Sequence, residues 1–115
     1  MKILLVDDLE RMRNAIKWLL RPKKDFEIVE AENGQQALEK LEQEKFDLLI
    51  TDYQMPVMDG LNLIKHVLAD PQFAGMRIIL MSTHPREIFK LQEGVDYCDK
   101  NELDKLKDMV KKEAQ

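Results

Sequence analysis

The chain reads as an α/β protein: a five-stranded parallel sheet of order 2-1-3-4-5, doubly wound with five helices, the fourth of them short. Two observations predict this. Short, nearly continuous apolar runs (Ile3 to Val6, Leu48 to Ile50 and Ile78 to Met81) are each too short for a helix and are bounded by charged or turn residues. Strands buried on both faces read in that way. Between these runs lie segments whose apolar residues recur at three and four, the period of a helix with one buried face. Strands alternating with helices imply a parallel sheet covered on both sides. With right-handed crossovers, five such units most simply make a doubly wound sheet.

The elements follow in order. After the first strand, Leu9, Met12, Ile16, Leu19 and Leu20 mark a helix that Pro22 stops. Phe26, Ile28 and Ala31 sit in a more mixed run, as suits an edge strand. Asn33 can cap the second helix, with Gln36 completing a capping box and Ala37, Leu38 and Leu41 forming the apolar stripe. Leu61, Ile64, Val67 and Leu68 mark a third helix that ends before Pro71. Ile88 and Leu91 mark the short fourth. Val95 to Cys98 is the fifth strand. Leu103, Leu106, Met109 and Val110 mark the fifth helix, with Asn101 as its cap.

Composition narrows the function. The 115 residues are one domain's worth of chain, so residues 1–115 are expected to form a single unit. Apolar residues at 44% against 35% charged suit a globular protein rather than a disordered one. No apolar run approaches the roughly 20 residues of a membrane helix, and the opening Met-Lys-Ile-Leu-Leu-Val-Asp-Asp lacks a signal-peptide core. The single Cys98 cannot make an internal disulfide, which suits the cytoplasm. A net charge of -4 argues against nucleic acid as a direct partner. Two histidines and one cysteine are too few for a His/Cys zinc site, so any metal must be held by oxygen.

In doubly wound sheets, ligands bind beyond the carboxyl ends of the strands, near the point where strand order reverses. The first strand ends in Asp7-Asp8, the third in Thr51-Asp52, the fourth in Ser82-Thr83 and the fifth in Asp99-Lys100. These strands are neighbours in the expected order. The carboxylates of Asp7, Asp8 and Asp52, the Ser82 hydroxyl and the Lys100 ammonium are therefore expected to meet at one end of the sheet. At about 4 Å and an effective dielectric near 20, each carboxylate pair repels by about 4 kcal/mol, which protons or a cation must relieve. Hard oxygen ligands favour Mg²⁺, which keeps waters and accepts phosphate oxygens. Lys100 supplies a point charge suited to a phosphoryl group, and Ser82 a hydroxyl donor. A carboxylate in such a site can itself be a nucleophile, and Asp52 is central by strand order.

These residues resemble a known family. Leu-Leu-Val-Asp-Asp, then Asp-Leu-Leu-Ile-Thr-Asp-Tyr-Gln-Met-Pro-Val-Met-Asp-Gly, then Ile-Ile-Leu-Met-Ser, then Tyr-Cys-Asp-Lys look like the receiver domain of two-component response regulators. The stretch from Asp7 to Arg13 is similar to the single-domain chemotaxis regulators. The resemblance implies a flavodoxin-like fold. It implies Asp52 as phosphoacceptor for a sensor histidine kinase or phosphotransfer protein, and Mg²⁺ on Asp7, Asp8, Asp52 and the backbone carbonyl of Gln54. It further implies Lys100 on the phosphoryl group, Ser82 as switch hydroxyl and Tyr97 as switch aromatic. The switch would be relayed to a downstream protein through the face of the fourth helix, fifth strand and fifth helix. It implies no turnover of a separate metabolite: the domain assists its own phosphorylation and dephosphorylation. No output domain follows the fifth helix, so the chain is expected to act through protein contacts or as part of a longer protein.

Two positions depart from the family pattern. Asn101 stands where a proline often follows the lysine, so a trans peptide and a differently shaped loop are expected. The segment from Ser82 to Tyr97 is short by roughly one helical turn, and Pro85 crowds it, so the fourth helix is expected to be truncated or irregular.

Simpler roles exist for the same residues. Asp7 and Asp8 could cap the first helix and Asp59 the third. Pro56 and Gly60 shape a turn in either case. His84 could flank the phosphoryl position, and His66 reads as helix surface. Cys98 reads as a small core residue. Trp18 falls off the apolar stripe and reads as a shield on a helix edge. Lys105, Lys107, Lys111 and Lys112 read as a solvated face. Two other functions fit less well. A small Mg²⁺-dependent phosphohydrolase with its nucleophile on the first strand wants an Asp-x-Asp loop, which Asp8-Leu9-Glu10 does not supply. A phosphorylation-independent binding module of the same fold does not need the complete acidic set and Lys100.

Overall fold

A computed structural model describes residues 1–21 and 25–111. Five strands, β1 (Lys2–Val6), β2 (Glu27–Ala31), β3 (Leu48–Asp52), β4 (Arg77–Ser82) and β5 (Val95–Asp99), form one parallel sheet in the order β2-β1-β3-β4-β5. The helices among the described residues are α1 (Glu10–Leu20), α2 (Gly34–Gln43), α3 (Gly60–Ala69) and α4 (Asp104–Lys111), with short 3-10 turns at Pro71–Phe73, Arg86–Phe89 and Lys100–Glu102. The expected proline stop of α1 at Pro22 lies outside the described residues, as does Lys112.

The continuous apolar runs are explained by covering on both faces. Ile3, Leu5, Leu48, Ile50, Ile79, Met81 and Cys98 point to one side, against Ile16 and Leu20 of α1 and Leu106 and Val110 of α4. Leu4, Val6, Leu49, Ile78 and Leu80 point to the other, against Ala37 and Leu41 of α2 and Leu63, Ile64 and Val67 of α3. Each fully buried Leu or Ile contributes about 1.5–3 kcal/mol. The mixed run of β2 forms one edge of the sheet, with only Ala31 buried. In α3, Leu63 takes the core position expected of Leu68, which is 41% exposed.

The caps are partly as expected. Asn33 Oδ1 accepts from Gln36 N at 2.8 Å, but Gln36 Oε1 accepts from Glu32 N at 2.9 Å rather than from Asn33, so the reciprocal bond lies one residue earlier. Asp59 Oδ1 caps α3 by accepting from Asn62 N at 2.8 Å. Asn101 is not the cap of the last helix. It lies within the 3-10 turn Lys100–Glu102, and its N–H donates to Asp99 Oδ1 at 2.8 Å. At the other end of α4, Arg77 donates to the carbonyls of Met109 (2.9 Å) and Val110 (3.3 Å), two of the acceptors a helix leaves unmatched.

The fourth helix is cut short, as expected, and no α-helix stands between β4 and β5 among the described residues. In its place stands a 3-10 turn, Arg86–Phe89, closed by Lys90 in the left-handed region with φ 47°. Only residues 83–94 separate β4 from β5, too few for a full helix with its connections to cover the sheet. Phe89, with the half-buried Leu91, covers the sheet there: Phe89 is buried and its ring lies 4.8 Å from Tyr53 and 5.9 Å from Tyr97. Trp18 is 63% exposed, with the Arg21 guanidinium 3.5 Å above its ring. Cys98 is buried, and burial pushes its thiol up to about 11. The folded protein is therefore expected to resist alkylation by iodoacetamide at pH 8 and to react on denaturation. Rapid labelling of the native protein would contradict that expectation.

Candidate functional site

The sheet order brings the carboxyl ends of β1, β3, β4 and β5 together, as the sequence predicts. Asp8, Leu9, Asp52, Tyr53, Gln54, Ser82, Thr83 and Lys100 line one cleft of about 330 Å³. Asp7 lies beneath it, fully buried. One carboxylate oxygen each from Asp7, Asp8 and Asp52 lie within 4.8 Å of one another.

Lys100 opens the turn after β5, and its side chain reaches back over the strand ends. Its Nζ is 2.9 Å from Asp52 Oδ1 and 3.2 Å from Asp7 Oδ2. The second contact has ion-pair distance but not hydrogen-bond geometry, so Asp7 Oδ2 is buried without a hydrogen bond. Asp7 Oδ1 accepts from Leu9 N at 3.0 Å. Asp52 Oδ1 also accepts from Tyr53 N at 2.8 Å. Burial pushes the Asp52 carboxyl above its ordinary value, and the charge of Asp7 adds to that; Lys100 pulls the other way and loses. For Lys100, burial favours the neutral amine, but Asp52 and Asp7 outweigh it and hold the ammonium above its usual value. One ammonium is thus shared by two carboxylates, with a third beside them. That donor set fits a small, hard divalent cation: all oxygen, net negative, and with one buried oxygen lacking a hydrogen bond.

Ser82 is buried at the end of β4. Its Oγ accepts from His84 N at 2.9 Å and lies 3.2 Å from His84 Nδ1. Tyr97 is not in the cleft wall. Its hydroxyl donates toward the carbonyl oxygens of Ser82 (3.1 Å) and His84, so it reaches the serine through the backbone. His84 flanks Ser82 and edges the Tyr53 ring at 5.7 Å.

The turn from Asp52 into α3 is held by close packing. Gly60 N donates to Tyr53 O at 2.8 Å, and Tyr53 N donates to Met81 O at 2.9 Å. A Cβ on Gly60 would stand 2.1 Å from the Asp52 carbonyl oxygen. Backbone cannot yield that far, so Gly60→Ala is expected to cost about 3 kcal/mol or more, read from urea unfolding.

Arg13 is a residue that sequence reasoning passes over. It is only 7% exposed, on the core-facing side of α1 with Ile16 and Leu20. The signal is present: three and seven residues before Ile16 and Leu20, it stands where an apolar side chain belongs.

Comparison with known proteins agrees with this architecture. The family profile of the response regulator receiver domain matches residues 3–111. The chemotaxis protein CheY of Pseudomonas aeruginosa is 38% identical over 99 residues, 84% of this chain and 80% of that protein. Among solved structures, a putative response regulator from Chloroflexus aurantiacus superposes with a TM-score of 0.86 at 28% identity, covering 96% of this chain and 94% of its own. The receiver domain from the hybrid histidine kinase CckA does so with a TM-score of 0.81 at 30% identity over all of both chains. The chain belongs to the response regulator receiver family, the receiver class of two-component and chemotaxis signalling. No helix among the described residues is long and apolar enough to cross a membrane.

Proposed function

We propose that this chain, as a single receiver unit, is a phosphorylation-dependent switch that accepts a phosphoryl group on Asp52. The observation that carries this reading is the Lys100 ammonium, 2.9 Å from Asp52 Oδ1 and 3.2 Å from Asp7 Oδ2 at the mouth of an acidic cleft. The donor is a phosphohistidine on a sensor histidine kinase or phosphotransfer protein. Tyr53 N and Lys100 fix Oδ1 and leave Oδ2 to attack. The new P–O bond forms as the P–N bond of the donor breaks, and its electron pair leaves on the imidazole nitrogen.

Asp7, Asp8, Asp52 and the Gln54 carbonyl are the ligands proposed for Mg²⁺. When bound, the ion supplies positive charge against the phosphoryl oxygens and relieves the repulsion among the carboxylates. Lys100 would add a second positive charge beside Asp52 and stabilise the charge that develops on the transferred group. The phosphoryl oxygens then compete with His84 for the Ser82 hydroxyl. Any shift of Ser82 reaches Tyr97 through the carbonyls its hydroxyl faces. The state is relayed by the surface of the Arg86–Phe89 turn, β5 and α4, where a downstream protein, or an output domain of a longer chain, reads it.

Acetyl phosphate and Mg²⁺, followed by intact-mass measurement, test the reading. One phosphoryl group is expected per chain, lost when the metal is chelated beforehand. An unchanged mass overturns the proposal, and steady hydrolysis of a phosphomonoester in its place would identify a phosphohydrolase.

A further inference from the structure

We propose that Arg13 is a positioning residue for the acidic cleft, holding the Asp7–Asp8 peptide in the orientation that aims Asp8 at the metal position. The inference rests on the reading of that cleft as a Mg²⁺ site. A buried guanidinium on a core-facing helix position needs partners on every side. Arg13 finds them at two ends. Its Nη1 donates to the backbone carbonyl of Asp7 at 2.7 Å. Its Nε donates to Glu30 Oε1 at 2.9 Å, and Lys17 Nζ donates to the other oxygen, Glu30 Oε2, also at 2.9 Å. Glu30 lies on β2, so the guanidinium bridges the edge strand, α1 and the end of β1.

What it grips decides what it does. The Asp7 carbonyl belongs to the planar peptide that ends at the Asp8 Cα, so fixing that oxygen fixes the plane from which Asp8 projects. Asp7 itself has further anchors: its N–H donates to Ala31 O at 3.1 Å, and its Oδ1 accepts from Leu9 N at 3.0 Å. Asp8 is exposed. Its direction therefore depends on the peptide plane more than on packing. The Glu30 carboxylate, clamped by Lys17 and Arg13, stops the guanidinium from rotating off the carbonyl. A polar group behind a metal ligand commonly matters to affinity by about 10–100-fold.

A titration of the full chain with MgCl₂, followed through the backbone amide resonances of Asp8 and Tyr53, tests this without any phosphoryl transfer. Melting in EDTA reports the structural cost separately. Arg13→Met is expected to weaken Mg²⁺ binding by about tenfold, and Arg13→Lys, which keeps one donor within reach of the Asp7 carbonyl, to recover most of the loss. Glu30→Gln, which keeps Arg13 but weakens the clamp that holds it on the Asp7 carbonyl, is expected to weaken binding by about threefold. If the variants only melt earlier and bind Mg²⁺ like the wild type, Arg13 is a structural tie and the inference fails. If Arg13→Met does not fold, an unchanged affinity in Glu30→Gln overturns the inference in the same way. A wild type that binds no Mg²⁺ removes the reading of the cleft itself, and the inference with it.

Discussion

Replacing Asp52 with asparagine is expected to abolish phosphoryl uptake from acetyl phosphate and Mg²⁺ while leaving the protein folded and somewhat more stable. The first effect follows from chemistry. The amide has almost the shape of the carboxylate but lacks the charge and the nucleophilic oxygen, and Asp8 is not held by Lys100 in its place. The second follows from where Asp52 sits. Burial and the neighbouring Asp7 charge raise its carboxyl above the ordinary value of 3.8, so the fold disfavours its ionised form despite Lys100. With a raised folded-state value, that penalty grows as pH rises through it and fades as pH falls toward the unfolded value. In EDTA at pH 7 the variant is expected to be stabilised by about 1 kcal/mol, roughly 4 °C in melting temperature. The difference is expected to shrink in acid. Intact-mass measurement and melting across pH check both halves. A phosphoryl adduct surviving in Asp52→Asn would place the acceptor elsewhere.

Lys100→Met separates charge stabilisation from metal binding. The ammonium is held by Asp52 and Asp7, and phosphoryl transfer puts new negative charge beside it. Losing one preorganised donor of this kind commonly costs about 10²–10³ in rate, so the time course of mass gain is expected to slow by about 100-fold. Mg²⁺ affinity is expected to hold or tighten, because the ammonium competes with the ion for the same oxygens. Without metal the variant leaves three carboxylates facing one another and is expected to lose about 2 kcal/mol of stability, restored by Mg²⁺. A variant that phosphorylates at the wild-type rate would remove Lys100 from the site.

Most of the fold and the site is legible in the sequence because the strands are buried on both faces. Leu48 to Ile50 and Ile78 to Met81 can be nothing else in so short a space. The order 2-1-3-4-5 then carries Asp7, Asp8, Asp52, Ser82 and Lys100 to one edge without further information. The segment from Arg86 to Leu91 is harder. Ile88 and Leu91 have helical spacing, yet Ile88 is 56% exposed and Phe89 is buried instead. A 3-10 turn rotates each residue further than an α-helix does, so spacing learned from one misplaces the buried face of the other. Arg13 escapes notice because a charge in an apolar stripe looks like an interruption. Its partners, the Asp7 carbonyl and Glu30, are fixed by tertiary packing that no local pattern reveals. The backward bond of Gln36 to Glu32 N rather than Asn33 is finer than any capping rule distinguishes.

Asp7 Oδ2, buried between Lys100 and the acidic cleft without a hydrogen bond, bears on protein engineering. A campaign that rewarded heat resistance alone in metal-free buffer would converge on a neutral residue at position 7 or 52, one carboxylate being enough to pair with Lys100. It would deliver a robust scaffold deaf to its input, so any selection for durability in this chain has to be run alongside one for signalling.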